Sequence, residues 1–188
     1  SLQTKRPDTM AEMVEKVKAA VKWLGEKLEP AVSVRSSIKP DYVAAHYNLG
    51  KAYFDAGRFT EAVESFKRAT QLKPDYEQAH LNLGAAYFRA GQFNEAADSF
   101  TTVTVLNPAN FDAFYGLGNA RNKTKRYQDA VAALKEAIRL KPTQVQAHYS
   151  LGLVYANLND KDGVTREFAI LKRLDPKLAD QFYNAVKK

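Results

Sequence analysis

Three histidines, His46, His80 and His148, are the side chains here best suited to metal or proton chemistry. His46 and His80 lie 34 residues apart, and His148 lies two further steps of 34 along the chain. The skipped step is filled by Phe114. A position that accepts Phe serves packing. If each step of 34 is one helical repeat, neighbouring copies sit about 10 Å apart, which is too far for two histidines to share a zinc ion. Other motifs are weaker. "GLGNAR" (116–121) has two glycines but neither the third glycine nor the preceding strand of a dinucleotide loop. "NKT" (122–124) fits the N-glycosylation acceptor pattern, a motif short enough to arise by coincidence. No phosphate-cradling loop, catalytic carboxylate pair or nucleophile motif is present. The lack of cysteine removes disulfide and thiolate chemistry. The expectation is a non-enzyme with no metal and no cofactor.

The elements that would position any site come next. With 188 residues, 45% hydrophobic and 26% charged, the chain has the composition of a soluble globular domain. No apolar run approaches the roughly 20 residues that span a bilayer, so membrane insertion is not expected. Ser1 in place of Met reads as the start of a fragment or a processed form. No compartment is specified, and cytoplasmic is the default. The net charge of +7 is uneven: residues 111–144 carry +4 of it, whereas 77–110 carry −2. An excess this modest and local describes a solvated surface better than a nucleic-acid footprint.

The 34-residue step extends to whole segments. "HYNLGKAYFDAGRFTEAVESF" (46–66) returns as "HLNLGAAYFRAGQFNEAADSF" (80–100), and more loosely at 114–134 and 148–168. Copies tile 43–76, 77–110, 111–144 and 145–178 without insertion. Leu49, Gly50, Tyr53 and Phe54 recur at helical spacing, as do Ala62, Phe66 and Ala69. Gly57 and Gly91 fall between the two helices of their copies, and Pro74, Pro108, Pro142 and Pro176 stop each second helix. A single hairpin cannot bury both faces, so neighbouring hairpins must stack.

This pattern resembles the tetratricopeptide repeat (TPR) family, whose consensus runs Trp-x2-Leu-Gly-x2-Tyr, then Ala-x3-Phe, then Pro. Copy one supplies Leu49, Gly50, Tyr53, Ala62, Phe66 and Pro74, and copy two supplies Leu83, Gly84, Tyr87, Ala96, Phe100 and Pro108. Copy three keeps Leu117, Gly118, Ala130 and Pro142, with Arg121 for Tyr and Leu134 for Phe. Copy four keeps Leu151, Gly152, Tyr155, Phe168 and Pro176, with Val164 for Ala. The histidines occupy the Trp slot. The resemblance implies an all-α fold, a right-handed superhelical α-solenoid of antiparallel helix hairpins whose first helices line a concave groove.

The ends differ from the repeats. Residues 1–42 are expected to hold an N-terminal amphipathic helix and a degenerate half-repeat. The helix, 9–28, starts with the capping pair Thr9 and Glu12 and carries a stripe of Met10, Met13, Val17, Val21, Leu24 and Leu28. "SIKPDY" (37–42) echoes "QLKPDY" (71–76). The helix is expected to pack on the first repeat, with self-association or blockage of the groove as alternatives. Residues 179–188 read as a C-terminal capping helix, with Leu178, Phe182 and Val186 as its lid.

In the groove, helical phase puts Ala44, Tyr47, Asn48, Lys51, Phe54 and Asp55 of copy one on the concave side, followed by Gln78, Leu81, Asn82, Ala85, Phe88 and Arg89. Copy three gives Asp112, Tyr115, Gly116, Asn119 and Lys123, and copy four Gln146, Tyr149, Ser150, Leu153 and Asn157. Tyr47, Leu81, Tyr115 and Tyr149 share one register position, an amphipathic ladder for a partner. Asn48 and Asn82 precede the Leu-Gly pair, where peptide-gripping TPR proteins are similar: an amide there can donate to and accept from a peptide backbone.

TPR co-chaperones that hold the acidic tails of heat-shock chaperones use a clamp of Lys and Asn, then Asn, then Lys and Arg. The matching residues here, Tyr47, Lys51, Asn82, Asp112 and Gly116, retain only Asn82, and starting one copy later retains none. That clamp is not expected. Arg121, Lys123, Lys125 and Arg126 cluster at the turn of copy three as a basic spot for an acidic partner, or simply a solvated turn. The copies show no paired base-reading code, which argues against nucleic acid. The leading expectation is a protein–protein interaction scaffold that binds an extended or helical segment of a partner. The alternatives are a self-assembling structural protein, joined edge to edge or through helix 9–28, and a substrate-recruiting domain of a larger enzyme.

Overall fold

The structure, a computed structural model, describes residues 15, 16, 18, 19 and 40–187. The helix expected over 9–28 and the half-repeat over 25–42 fall mostly outside those residues; Glu15, Lys16, Lys18 and Ala19 are helical. Among the described residues there are nine further helices and no strand. They are α1 (Pro40–Asp55), α2 (Phe59–Leu72), α3 (Glu77–Arg89), α4 (Phe93–Leu106) and α5 (Phe111–Lys123). Then come α6 (Tyr127–Leu140), α7 (Val145–Asn157), α8 (Lys161–Leu174) and α9 (Pro176–Val186). No helix of the described residues is long and apolar enough to cross a membrane.

The chain forms two compact units, Ser1–Ala86 and Tyr87–Lys188, with the boundary inside α3. In the first unit α1 and α2 form a hairpin whose contact depends on a missing side chain. A Cβ on Gly50 would lie 2.6 Å from the Phe66 ring, closer than carbon atoms approach. Phe66 is 1% exposed, so this ring fills the space between the two helices. The turn closes with Gly57 N donating to Phe54 O and Arg58 N to Tyr53 O, and Phe54 and Phe59 meet edge to face at 5.4 Å across it. At the far end, Lys73 N caps α2 on Ala69 O before Pro74 ends the helix.

The second unit repeats this hairpin and stacks it. Helix α5 packs against α4, α6 and α7, while α7 packs against α6, α8 and α9. Between α5 and α6 the Gly–ring contact becomes Gly118 on Leu134, at 2.5 Å for a built Cβ. Ala130, Leu134, Leu151, Val154 and Tyr155 form one buried cluster, and Phe111, Ala137 and Ala147 form a second. A third, Leu171, Ala179 and Phe182, brings α9 down on α7 and α8. Phe182 is wholly buried and takes the face of Gly152. Asp175 caps α9 through Leu178 N, with Pro176 at its first position, where proline loses no hydrogen bond.

All four hairpin turns place one residue at positive φ in strict 34-residue register: Gly57 at 74°, Gly91 at 81°, Lys125 at 61° and Asn159 at 57°. Glycine meets no steric cost there, and asparagine little. Lys125 bears the Cβ strain of the left-handed region. Replacing it with glycine, Lys125→Gly, should raise the stability of the chain by about 1 kcal/mol, read from thermal and urea unfolding. Unchanged or lower stability would mean that the copy-three turn draws compensating energy from the lysine side chain.

Candidate functional site

The site the sequence points to lies on the first helix of each hairpin, and the residues there are in different states. In the first unit Tyr47 is half-buried, with its ring 5.1 Å from Tyr76 and 5.8 Å from Phe66. Its hydroxyl accepts from Asn82 Nδ2 at 3.0 Å, and Asn82 Oδ1 accepts from Gln78 Nε2 at 3.3 Å. Asn82 is thus held in one orientation, with one N–H and one lone pair left for a ligand. Tyr76 is pushed up from the usual phenol range by burial, with Tyr47 beside it. Asn48, Lys51 and Gln78 are exposed, Leu81 is half-buried, and Phe54 is committed to Phe59.

In the second unit Phe88 packs on Phe93 at 5.1 Å, while Arg89 is exposed. Helices α5 and α7 lie wholly within this unit and pack side by side. Tyr115 stacks on Phe111 at 5.7 Å and joins two core clusters, and Tyr149 sits edge-on to Phe182. The tyrosines therefore spend their rings on packing between hairpins and offer their rims. Asn119 is half-exposed, Lys123 is exposed, and Gln146 is exposed and accepts from Gln144 Nε2. At the turn end, Asn157 Nδ2 donates to Asn122 Oδ1 at 3.0 Å and ties α7 to α5. Asn82–Tyr47 and Asn157–Asn122 both join residues 35 apart, one register step beyond the repeat.

The four cations of copy three are in different environments. Arg126 is paired with Asp129 at 2.7 Å. Arg121 is half-buried in the slot that holds Tyr53 and Tyr155 in other copies; its Nε has no hydrogen-bond partner, and Nη1 lies 3.5 Å from Asp129 O. Lys123 and Lys125 are exposed.

The histidine slot has more than the packing role the sequence suggests. His80 Nε2 donates to Pro74 O at 2.9 Å, and His148 Nε2 donates to Pro142 O at 2.9 Å. Each ring pins the proline turn that leads into its own hairpin. His148 goes further: Nδ1 lies 2.7 Å from Glu167 Oε2, and both side chains are buried, at 6% and 9% exposure. A carbonyl and a carboxylate both accept, so this arrangement favours the imidazolium form of His148. Its pKa is raised, first by the Glu167 hydrogen bond, which outweighs the opposing effect of burial.

One sequence signal for this pair was available, 19 residues downstream of the slot. In sequence register, His46 is followed by Ser65, His80 by Ser99 and His148 by Glu167, whereas Phe114 is followed by Ala133. A polar slot comes with a polar partner position. Among the described residues no group of three or more His, Asp or Glu side chains could hold a metal ion.

Comparison with known proteins gives one consistent answer. A family model described as "TPR repeat" matches residues 50–91, and one described as "Tetratricopeptide repeat" matches 81–145 and 125–163. No curated protein matches in sequence. The crystal structure of MamA is similar with a TM-score of 0.71 and 25% identity, over 94% of this chain and 99% of that one. YrrB, described as a TPR protein with an unusual peptide-binding site, has a TM-score of 0.66 and 26% identity, over 75% of this chain and 73% of its own. The first TPR of Spaghetti (RPAP3), solved with an HSP90 peptide, shares the fold at 21% identity and a TM-score of 0.61, over 64% of this chain and 96% of that one.

The His148–Glu167 pair gives a test with a sign. Because the folded pKa of His148 is raised, its stabilisation is fully present below the unfolded value of 6.5 and is lost as pH rises through the folded one. His148→Phe alone strands Glu167 and should cost about 3 kcal/mol, the lower end for a broken buried pair. Adding Glu167→Ala copies the Phe114–Ala133 arrangement and should recover most of that loss. Unfolding curves across pH should lose their His148-dependent slope in the double variant. Additive losses in the double-mutant cycle would show that the two residues are not coupled.

Proposed function

The chain belongs to the tetratricopeptide repeat family, and from that premise we propose that it is a non-catalytic scaffold whose first-helix face takes an extended or helical segment of a partner protein. The observation that supports this most is the adjacent pair α5 and α7. They present Asn119, Lys123, Gln146 and the rim of Tyr149, all at least partly exposed, over a core that is already closed behind them. The scaffold does not need the ligand to complete its packing, so the face is preorganised. Asn82 adds the same property in the first unit: an amide fixed by Tyr47 and Gln78 with valence to spare.

Peptide binding in YrrB favours the same use of the fold here. The chaperone-tail clamp does not suit this chain, since Tyr47, Asp112 and Gly116 stand where cations would be needed and Lys51 where an asparagine would be. A partner would bind through two or three amide hydrogen bonds, each worth about 0.5–1.5 kcal/mol net, plus contact with the tyrosine rims. Affinity near micromolar, about −8 kcal/mol, is the expected scale.

The test uses three exposed or half-exposed positions that leave the core alone: Asn119→Ala, Lys123→Ala and Gln146→Ala together. Partners captured by the wild-type chain from its source cell and then titrated individually should bind the triple variant at least tenfold more weakly, with thermal stability unchanged. Equal affinity for both chains would remove the α5–α7 face from the account.

A further inference from the structure

Helix α9 covers the core with Ala179 and Phe182, yet its other face repeats a first-helix pattern. Tyr183, Asn184 and Lys187 stand 34 residues beyond Tyr149, Ser150 and Leu153 of α7. Further back in the same register are Tyr47, Asn48 and Lys51, so "YNLGK" (47–51) returns as "YNAVK" (183–187). The Leu-Gly pair that packs the first hairpin is replaced by Ala-Val, while the face residues return unchanged. Core packing does not account for them: Tyr183 is 48% exposed, and Asn184 and Lys187 are exposed.

Helix α9 packs beside α7 as α7 packs beside α5. Two rows of side chains therefore cross three helices, Tyr115–Tyr149–Tyr183 and Asn119–Leu153–Lys187. Tyr115 stacks on Phe111 and Tyr149 sits edge-on to Phe182, whereas Tyr183 meets Phe168 at a tilt, 5.8 Å away, and keeps half its surface. The Lys187 ammonium sits 5.5 Å from the Tyr183 ring centroid and pairs with no carboxylate among the described residues.

We propose that Tyr183 and Lys187 form a further subsite, where the partner segment runs on from α5 and α7 and places an acidic side chain. This rests on the reading that α5 and α7 bind such a segment. The lower row gives the partner's chemistry: a polar group at Asn119, an apolar residue at Leu153 and a carboxylate at Lys187. Helices about 10 Å apart put the last two about three extended residues from each other. The negative end of the α9 dipole opposes an anion, so the contact depends on the Lys187 charge.

The probe is a phage-displayed library of random decapeptides, panned on the 188-residue chain and followed by anisotropy titration of the selected peptides. They should share an Asp or Glu about three positions from an apolar residue. Lys187→Glu should weaken them at least tenfold with thermal stability unchanged, and replacing the peptide's acid with Lys should restore binding to that variant. That rescue separates direct contact from fraying of α9. Peptides weakened by the Asn119, Lys123 and Gln146 triple variant but indifferent to Lys187→Glu would overturn the α9 subsite and leave the α5–α7 reading standing. Peptides indifferent to the triple variant, or a library that yields none, would overturn that reading and this one with it. Self-association abolished by Lys187→Glu in sedimentation would assign the face to a second copy and also overturn the proposal.

Discussion

The fold depends on a close approach that only a missing Cβ permits. Gly50 receives the Phe66 ring, Gly118 receives Leu134 and Gly152 receives Phe182, each within 2.6 Å of where a Cβ would stand. These contacts set the distance between the helices they join, and Phe66, Leu134 and Phe182 are among the most completely buried side chains. Stacking follows from that distance. Once the hairpin is this thin, small buried residues such as Ala130 and Ala137 suffice on α6: Ala130 meets the larger Leu151, Val154 and Tyr155 of α7, and Ala137 packs with Phe111 and Ala147. The surface left over on the first helices includes the partly or fully exposed Asn119, Lys123 and Gln146.

Much of this was legible in the chain. Gly50 and Gly118 stand in register with their partners Phe66 and Leu134 on the second helices, and the four prolines mark where each second helix stops. The positive-φ residues obey the same register even where the sequence stops saying so, at Lys125 and Asn159, because the backbone follows the hairpin geometry rather than the residue that occupies it. What helical phase could not give was the state of each face residue. Tyr47, Tyr115 and Tyr149 share one position in the repeat, yet each commits its ring to a neighbouring aromatic. Phase assigns a direction. Whether a side chain reaches solvent or the next hairpin depends on the spacing between hairpins, which no single repeat encodes.

The histidine slot shows the same limit from the other side. Acceptance of Phe114 marked it as packing, and the rings are packed, but His80 and His148 also donate to the proline carbonyls six residues earlier. The carbonyl ahead of each first helix needs a donor, and in these two copies a ring nitrogen supplies it. In copy four Glu167 turns the same slot into a buried hydrogen-bonded pair. In the function proposed here, recognition would draw on different residues of the same helices from stability: the slot side is packed, and Asn119, Lys123 and Gln146 are at least partly exposed.

That division is the central claim, and it can be read in one spectrum. Titrating a captured partner segment into isotopically labelled chain and following backbone amides by nuclear magnetic resonance would map the contact surface residue by residue. The account predicts that shifts concentrate on α5 and α7, around Asn119, Lys123, Gln146 and Tyr149, with α6 and α8 nearly still. Shifts concentrated on the second helices, or spread evenly over the chain, would contradict it.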